Sequence, residues 1–275
     1  MNNITLRAIS GTVYVAIISI CLLLGNWAAF SLLFILTFLC LWEYKALLLN
    51  ELSVFQKTLF LICGLYLFSV LGLWQFMFIK RFYFGIGLLL TVFLFVVQLF
   101  HRSKTPFDAI GRQLTGWIYI PFSIGLLYAI GWQKFLYLNG EIAYNGKLVL
   151  AIFILIWAND TFAYLTGRWL GKRPLLSRIS PAKTIEGSIG GLILTIGSAI
   201  GIYYWQQQFS IMEYCILAVI ISVGATLGDL IESMLKRSLD IKDSGSLIPG
   251  HGGILDRMDA TLITAWLVYF YCQII

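Results

Sequence analysis

Long apolar runs alternate with short polar breaks along the whole chain. Nine runs stand out, over residues 8–24, 27–48, 58–78, 83–100, 113–131, 148–167, 185–205, 212–235 and 259–275. Each approaches the roughly 20 residues that a helix needs to cross the hydrocarbon of a bilayer. The pattern predicts an all-α, polytopic integral membrane protein of about nine transmembrane helices. The first run resembles a signal peptide only in position. One Arg flanks it, no small-residue cleavage site follows, and Gly25-Asn26-Trp27 leads straight into the next run, so it is expected to be a retained span.

Composition agrees with the pattern. Of 275 residues 60% are hydrophobic and 12% charged, with mean hydropathy +0.87. A soluble domain is nearer half apolar and a quarter charged. Lys and Arg set the orientation, because cytoplasmic loops retain them. With the N-terminus inside, the inner segments carry fifteen and the outer loops only Lys80, Arg81, Lys134 and Lys147. This places the 168–183 and 236–257 loops in the cytoplasm and the C-terminus outside. The net charge of +6 reflects that bias, attraction to anionic lipid or nucleotide, or both. No basic soluble domain or reader motif suggests nucleic acid.

The five cysteines all lie in apolar runs without metal-ligand spacing, and read as packing residues. Gly187-x-x-x-Gly191 and Gly197-x-x-x-Gly201 allow close helix approach, within one chain or at a homodimer face. By content the chain divides into a chemically quiet hydrophobic region, 1–147, and a polar region, 148–275, within one continuous membrane domain.

Three constellations could carry chemistry. Asn159-Asp160-Thr161 sits in the sixth run, where Asp160, Tyr164 and Gly167 share a helix face. It is a functional group or a polar knot tying helices together. Next come Gly171-Lys172-Arg173 and Ser180-Pro181-Ala182-Lys183-Thr184. Pro181 after Ser180 predicts a capped helix start, which would make Ser180, Lys183, Thr184 and free backbone N–H groups an anion site. The alternative is a merely basic loop.

The third and densest constellation runs from Asp229 to Asp259. Asp229, Ser233 and Lys236 fall on one helix face with Glu232 beside them, and Asp256 and Asp259 share the first turns of the last helix. Between them runs Pro249-Gly250-His251-Gly252-Gly253, whose glycines let backbone N–H groups approach a ligand. Asp229, Asp256 and Asp259 could hold Mg²⁺, which favours carboxylates plus phosphate oxygens; a second cation is left open. A set of ion pairs at the membrane edge is the bland alternative.

The string Ser233-x-x-Lys236-Arg237-x4-Lys242-Asp243-x5-Pro249-Gly250-His251-Gly252-Gly253-x-x-Asp256-Arg257-x-Asp259 resembles the signature of the phosphatidate cytidylyltransferase, or CDP-diacylglycerol synthase, family. Asp160-Thr161-x-Ala163-Tyr164-x-x-Gly167-Arg168-x-x-Gly171-Lys172 and Ser180-Pro181-x-Lys183-Thr184-x-Glu186-Gly187 are similar to it too. Phe162 departs, standing where a small residue is expected. The resemblance covers about 150–260.

It implies transfer of CMP from CTP to phosphatidic acid, giving CDP-diacylglycerol and pyrophosphate, in a bacterial cytoplasmic membrane with the site on the cytoplasmic face. Asp229, Lys236, Arg237, Asp256, Arg257 and Asp259 become catalytic candidates. Asp160, Arg168, Ser180, Lys183, Thr184, Ser233, Lys242, Asp243, His251, Gly252 and Gly253 become substrate-binding candidates. The lipid phosphate is itself a nucleophile, so no protein nucleophile is required, and no convincing Ser-His-Asp or Cys-His arrangement occurs. Another membrane CTP-dependent lipid transferase, or a secondary transporter using Asp160 and Asp229 for ion coupling, stays open.

Overall fold

The computed structural model describes residues 3–74, 81–101, 105–132, 143–247 and 252–275. The chain folds as helices α1 (Asn3–Leu23), α2 (Asn26–Leu48), α3 (Val54–Leu73), α4 (Arg81–Leu99), α5 (Pro106–Trp117), α6 (Ser123–Ile130), α7 (Gly146–Leu170), α8 (Ile185–Gln206), α9 (Ile211–Ser238) and α10 (Leu255–Ile274). A π-helical turn, Ile118–Phe122, joins α5 to α6 around Pro121, which has no N–H to give to a regular ladder. Every expected apolar run thus carries a helix; the end of the third run, 75–78, lies outside the described residues. Among the described residues seven helices are long and apolar enough to cross a membrane. The protein is an all-α polytopic membrane protein. Beside the helices stands a small antiparallel hairpin, β1 (Pro174–Leu176) with β2 (Ser180–Thr184).

Local chemistry starts several helices. Ser53 with Gln56 and Ser210 with Glu213 form reciprocal capping boxes, and the Asn145 side chain accepts from Leu148 N. These caps stand at polar breaks between apolar runs, which is why the chain turns there.

Helix ends segregate. Tyr44 Oη donates to Arg112 O at 2.8 Å, Gln56 Nε2 to Gln98 Oε1 at 2.8 Å, and Leu255 N to Glu43 Oε2 at 2.9 Å. These contacts gather the C-terminal end of α2, the start of α3, the end of α4, the middle of α5 and the start of α10 at one end of the bundle. At the other end Gln206 Nε2 donates to Lys147 O, and Tyr271 Oη to Glu213 O. One buried core runs from Ile18 to Cys272, so the two regions separated by content pack together. Trp266 stacks on Phe122 with ring centroids 4.8 Å apart and donates to Ser123 Oγ at 2.8 Å.

Candidate functional site

The end of α7, the hairpin and the start of α8 build one wall of the site. α7 and α8 run antiparallel with small residues between them. A Cβ on Gly187 would lie 2.8 Å from Ala163 O and 3.0 Å from Gly167 Cα, so the helices touch through backbone. Of the two glycine motifs, Gly187 and Gly191 pack within the chain, while Cβ atoms at Gly197 and Gly201 would meet nothing within 4 Å.

The expected helix start at Pro181 is corrected. Residues 180–184 form β2, whose Thr184 pairs with Pro174 and whose Ser180 pairs with Leu176. The helix begins at Ile185, and Thr184 rather than Ser180 caps it, accepting from Gly187 N at 3.1 Å. Glu186 closes the hairpin base by accepting from Lys172 N at 3.0 Å and Arg173 N at 3.1 Å. Pro181 lacks an N–H but not a carbonyl, and a short two-stranded ribbon tolerates it at an edge.

A cavity of about 490 Å³ lies against this wall. Asn159, Asp160, Tyr164 and Arg168 reach it from α7, Ser180, Lys183 and Thr184 from the hairpin, and Thr226 and Asp229 from α9. The structure thereby joins the first and second constellations and brings in one carboxylate of the third. Lys183 forms an ion pair with Asp229 across the cavity. Arg168 contacts Tyr164 Oη at 3.5 Å, one helical turn away on the same face.

Glu232, Lys236 and Asp256 of the third constellation are more buried than Asp229. Lys236 bridges two carboxylates, Glu232 Oε2 at 2.6 Å and Asp256 Oδ1 at 2.8 Å. Asp256 Oδ2 accepts from Ser244 N at 2.9 Å and Gly253 N at 2.8 Å. Asp256 thus pairs with Lys236 through one oxygen and holds the signature loop through the other. Gly252 has φ +81, and a Cβ there would also stand 2.7 Å from Asp256 Oδ2.

Among the described residues, no three His, Cys, Asp or Glu side chains form a ready-made metal cage. Asp256 is held by Lys236 and the loop, and Asp229 is paired with Lys183. The carboxylates of Asp160, Asp229 and Asp259 lie within Coulombic reach of one another. α9 and α10 bring the last two together, because Gly228 packs directly on the backbone of Asp259 and Ala260. Beside them two buried polar atoms, Tyr119 Oη and Glu232 Oε1, have no hydrogen-bond partner among the described residues. Unpaired buried oxygens next to carboxylates fit a site completed by a bound cation or ligand. The donors are hard oxygens of the kind Mg²⁺ takes.

Other candidates are dispersed. Arg237 donates to Ile179 O at 3.3 Å and so ties α9 to the hairpin. Arg257 is exposed on the first turn of α10, within Coulombic reach of Asp160. Ser233 is half-buried, and Lys242 and Asp243 are exposed on the loop. His251, with Pro249 and Gly250, lies outside the described residues.

Sequence reasoning missed two residues in the region it read as quiet. Glu43, on α2, accepts from Ile254 N at 2.9 Å, Leu255 N at 2.9 Å and Ser244 Oγ at 3.3 Å. The available signal was a lone carboxylate within the second apolar run. Tyr119 gave no signal beyond its proximity to Pro121.

Fold and site together define a polytopic α-helical membrane protein with a cavity at one end of its bundle that is lined by charges of both signs. Comparison with known proteins narrows the class. The Cytidylyltransferase family matches residues 5–275. A phosphatidate cytidylyltransferase of Bacillus subtilis is 33% identical over 215 residues, 74% of this chain and 77% of that protein. Proteins of the same name from Synechocystis sp. and Haemophilus influenzae are 48% and 44% identical over 130 and 135 residues, each match covering 46% of this chain. Those two matches span 44% and 47% of the relatives' lengths, less than half. The chain belongs to the Cytidylyltransferase family.

Proposed function

We propose that this protein transfers a cytidylyl group from CTP to phosphatidic acid, forming CDP-diacylglycerol and releasing pyrophosphate. The observation that carries the reading is the cavity that unites Lys183, Arg168 and the Thr184 cap with Asp160 and Asp229. Its cations face substrates that together bring about six negative charges near neutral pH, a phosphate monoester carrying about −1.5 to −2. The relatives from Bacillus subtilis, Synechocystis and Haemophilus influenzae carry the name of this activity.

In the reaction, an oxygen of the lipid phosphate attacks the α-phosphorus of CTP in line. One P–O bond forms as the bond to the β-phosphate oxygen breaks, and pyrophosphate leaves with that electron pair. Positioning and charge neutralisation then supply the catalysis. Lys183 is freed from Asp229 to meet phosphate oxygens, and Arg168 and Arg257 add donors from the flanking helices. Asp229 and Asp259, with Asp160 nearby, would hold Mg²⁺, which supplies charge neutralisation on phosphate. The site opens toward the cytoplasm in this reading, supported by the Lys and Arg bias of the sequence and by the need to meet a soluble nucleotide. In a bacterium the membrane is the cytoplasmic one.

The test is purified protein with radiolabelled CTP, phosphatidic acid and Mg²⁺. One CDP-lipid per pyrophosphate is expected. No CDP-lipid, together with ion or solute movement in liposomes by the same preparation, would replace the enzyme by a transporter.

A further inference from the structure

Glu43 is a buried carboxylate, 5% exposed, near the C-terminal end of α2. It lies about two hundred positions before its partners in sequence, since the separations to Ser244, Ile254 and Leu255 are 201, 211 and 212. Among the described residues no ion pair neutralises it. Its charge is met instead by the unpaired backbone N–H groups that begin α10, where the helix dipole favours an anion. Oε1 accepts from Ile254 N, and Oε2 from Leu255 N and Ser244 Oγ.

Two glycines of the signature loop are shaped to this side chain. A Cβ on Gly245 would stand 2.7 Å from Glu43 Oε1, and one on Gly253 would collide with Glu43 Oε2 and Ser244 Oγ. Neither has positive φ, so the close approach of the carboxylate, rather than backbone freedom, excludes a side chain there. The two loop ends thus converge on one carboxylate from the opposite half of the chain, while Asp256 holds Ser244 N and Gly253 N from the other side.

We propose that Glu43 is a positioning residue of the transfer reaction, a clamp that holds Ser244 and Gly245 against Gly253, Ile254 and Leu255 and with them the register of Asp256, Arg257 and Asp259 at the start of α10. Its link to the reaction rests on the proposed function; the clamp itself rests on geometry alone. A charged acceptor of this kind cannot be replaced by an amide. Glu43→Gln turns an NH₂ toward either Ile254 N–H or Leu255 N–H, setting donor against donor.

Hydrogen exchange on purified full-length protein in detergent tests the clamp, with steady-state CDP-lipid formation measured alongside. In Glu43→Gln the amides of Ile254 and Leu255 are expected to exchange about tenfold faster or more, the scale of a lost hydrogen bond to a charged group. Amides of α7 and α8 should keep their wild-type rates. kcat should fall by at least about tenfold while KM for CTP changes far less, because the cavity that contains Lys183 and Thr184 is untouched. Gly253→Ala reaches the same contact from the loop and should reproduce both effects, and the double variant should be no worse than the more severe single variant. Wild-type exchange at Ile254 and Leu255 in both variants would overturn the clamp, as would a uniform acceleration through all helices. Opened amides with unchanged kcat would overturn the positioning role. Should wild-type protein make no CDP-lipid, the proposed function falls, while the exchange results still decide the clamp.

Discussion

Lys183 on β2 and Asp229 on α9 form an ion pair that spans the cavity between the hairpin and the helix bundle. Their side chains are 26% and 35% exposed, so water screens the pair and it adds little to stability, on the order of 0–1 kcal/mol. A contact that does little for the fold, in a cavity built of opposite charges, is available for exchange with substrate.

This relationship makes the first prediction. Asp229→Asn should leave the melting temperature in detergent nearly unchanged and lower CDP-lipid formation by about a hundredfold or more, the scale of a lost charge-stabilising group. Lys183→Ala should do the same. Turnover near wild type in either variant would remove that residue from the reaction.

Asp256 should behave differently, because its oxygens are committed to Lys236, Ser244 N and Gly253 N. Its side chain is 8% exposed. Asp256→Asn removes one partner of a largely buried ion pair, a change that costs about 3–5 kcal/mol when the remaining charge stays unpaired. Glu232 still faces Lys236, which should hold the loss to the lower part of that range. Melting temperature and activity should therefore fall together. A large loss of activity with unchanged melting would show that Asp256 touches the reactants instead.

Gly228 supplies a steric test of the same neighbourhood. A Cβ there would stand 2.9 Å from Ala260 Cα and collide with the Asp259 carbonyl, both backbone atoms that cannot rotate away. Gly228→Ala should force α9 from α10 and cost about 1–3 kcal/mol, typical of overpacking. Because Asp229 and Asp259 separate with the helices, Mg²⁺ should also give a smaller thermal shift than in wild type. An undiminished shift would mean that the two carboxylates do not share a cation.

The helices were legible because each needs a long apolar run, and that demand is written locally in the residues. Two of the site residues were legible for a related reason: Asp160 and Asp229 are charges within apolar runs, and such charges need partners. What could not be read was which charge partners which. Spacing grouped Asp256 with Asp229, whereas the fold turned Asp256 toward Ser244 and Lys236 and left Asp229 to Lys183. Ser180 looked like a cap because Ser-Pro often starts helices, but pairing with Leu176 drew it into a strand and passed the cap to Thr184. Glu43 was hidden by distance: nothing near it in sequence shows that α10 begins beside it.

Orientation in the membrane yields the last prediction. The Lys and Arg bias puts the signature loop inside, and the fold sets Ser246 on that loop and Ile275 beyond the far end of α10. Both are exposed, whereas the neighbouring Ser244 is 5% exposed and tied to Glu43, which makes it a poor probe. Ser246→Cys should resist an impermeant thiol reagent in intact spheroplasts and react after lysis. Ile275→Cys should react before lysis, and the wild-type chain with its five cysteines sets the background for both. The opposite labelling would turn the cavity outward. Cytoplasmic CTP would then have no route to Lys183, and the proposed reaction would lose its nucleotide even with every side chain in place.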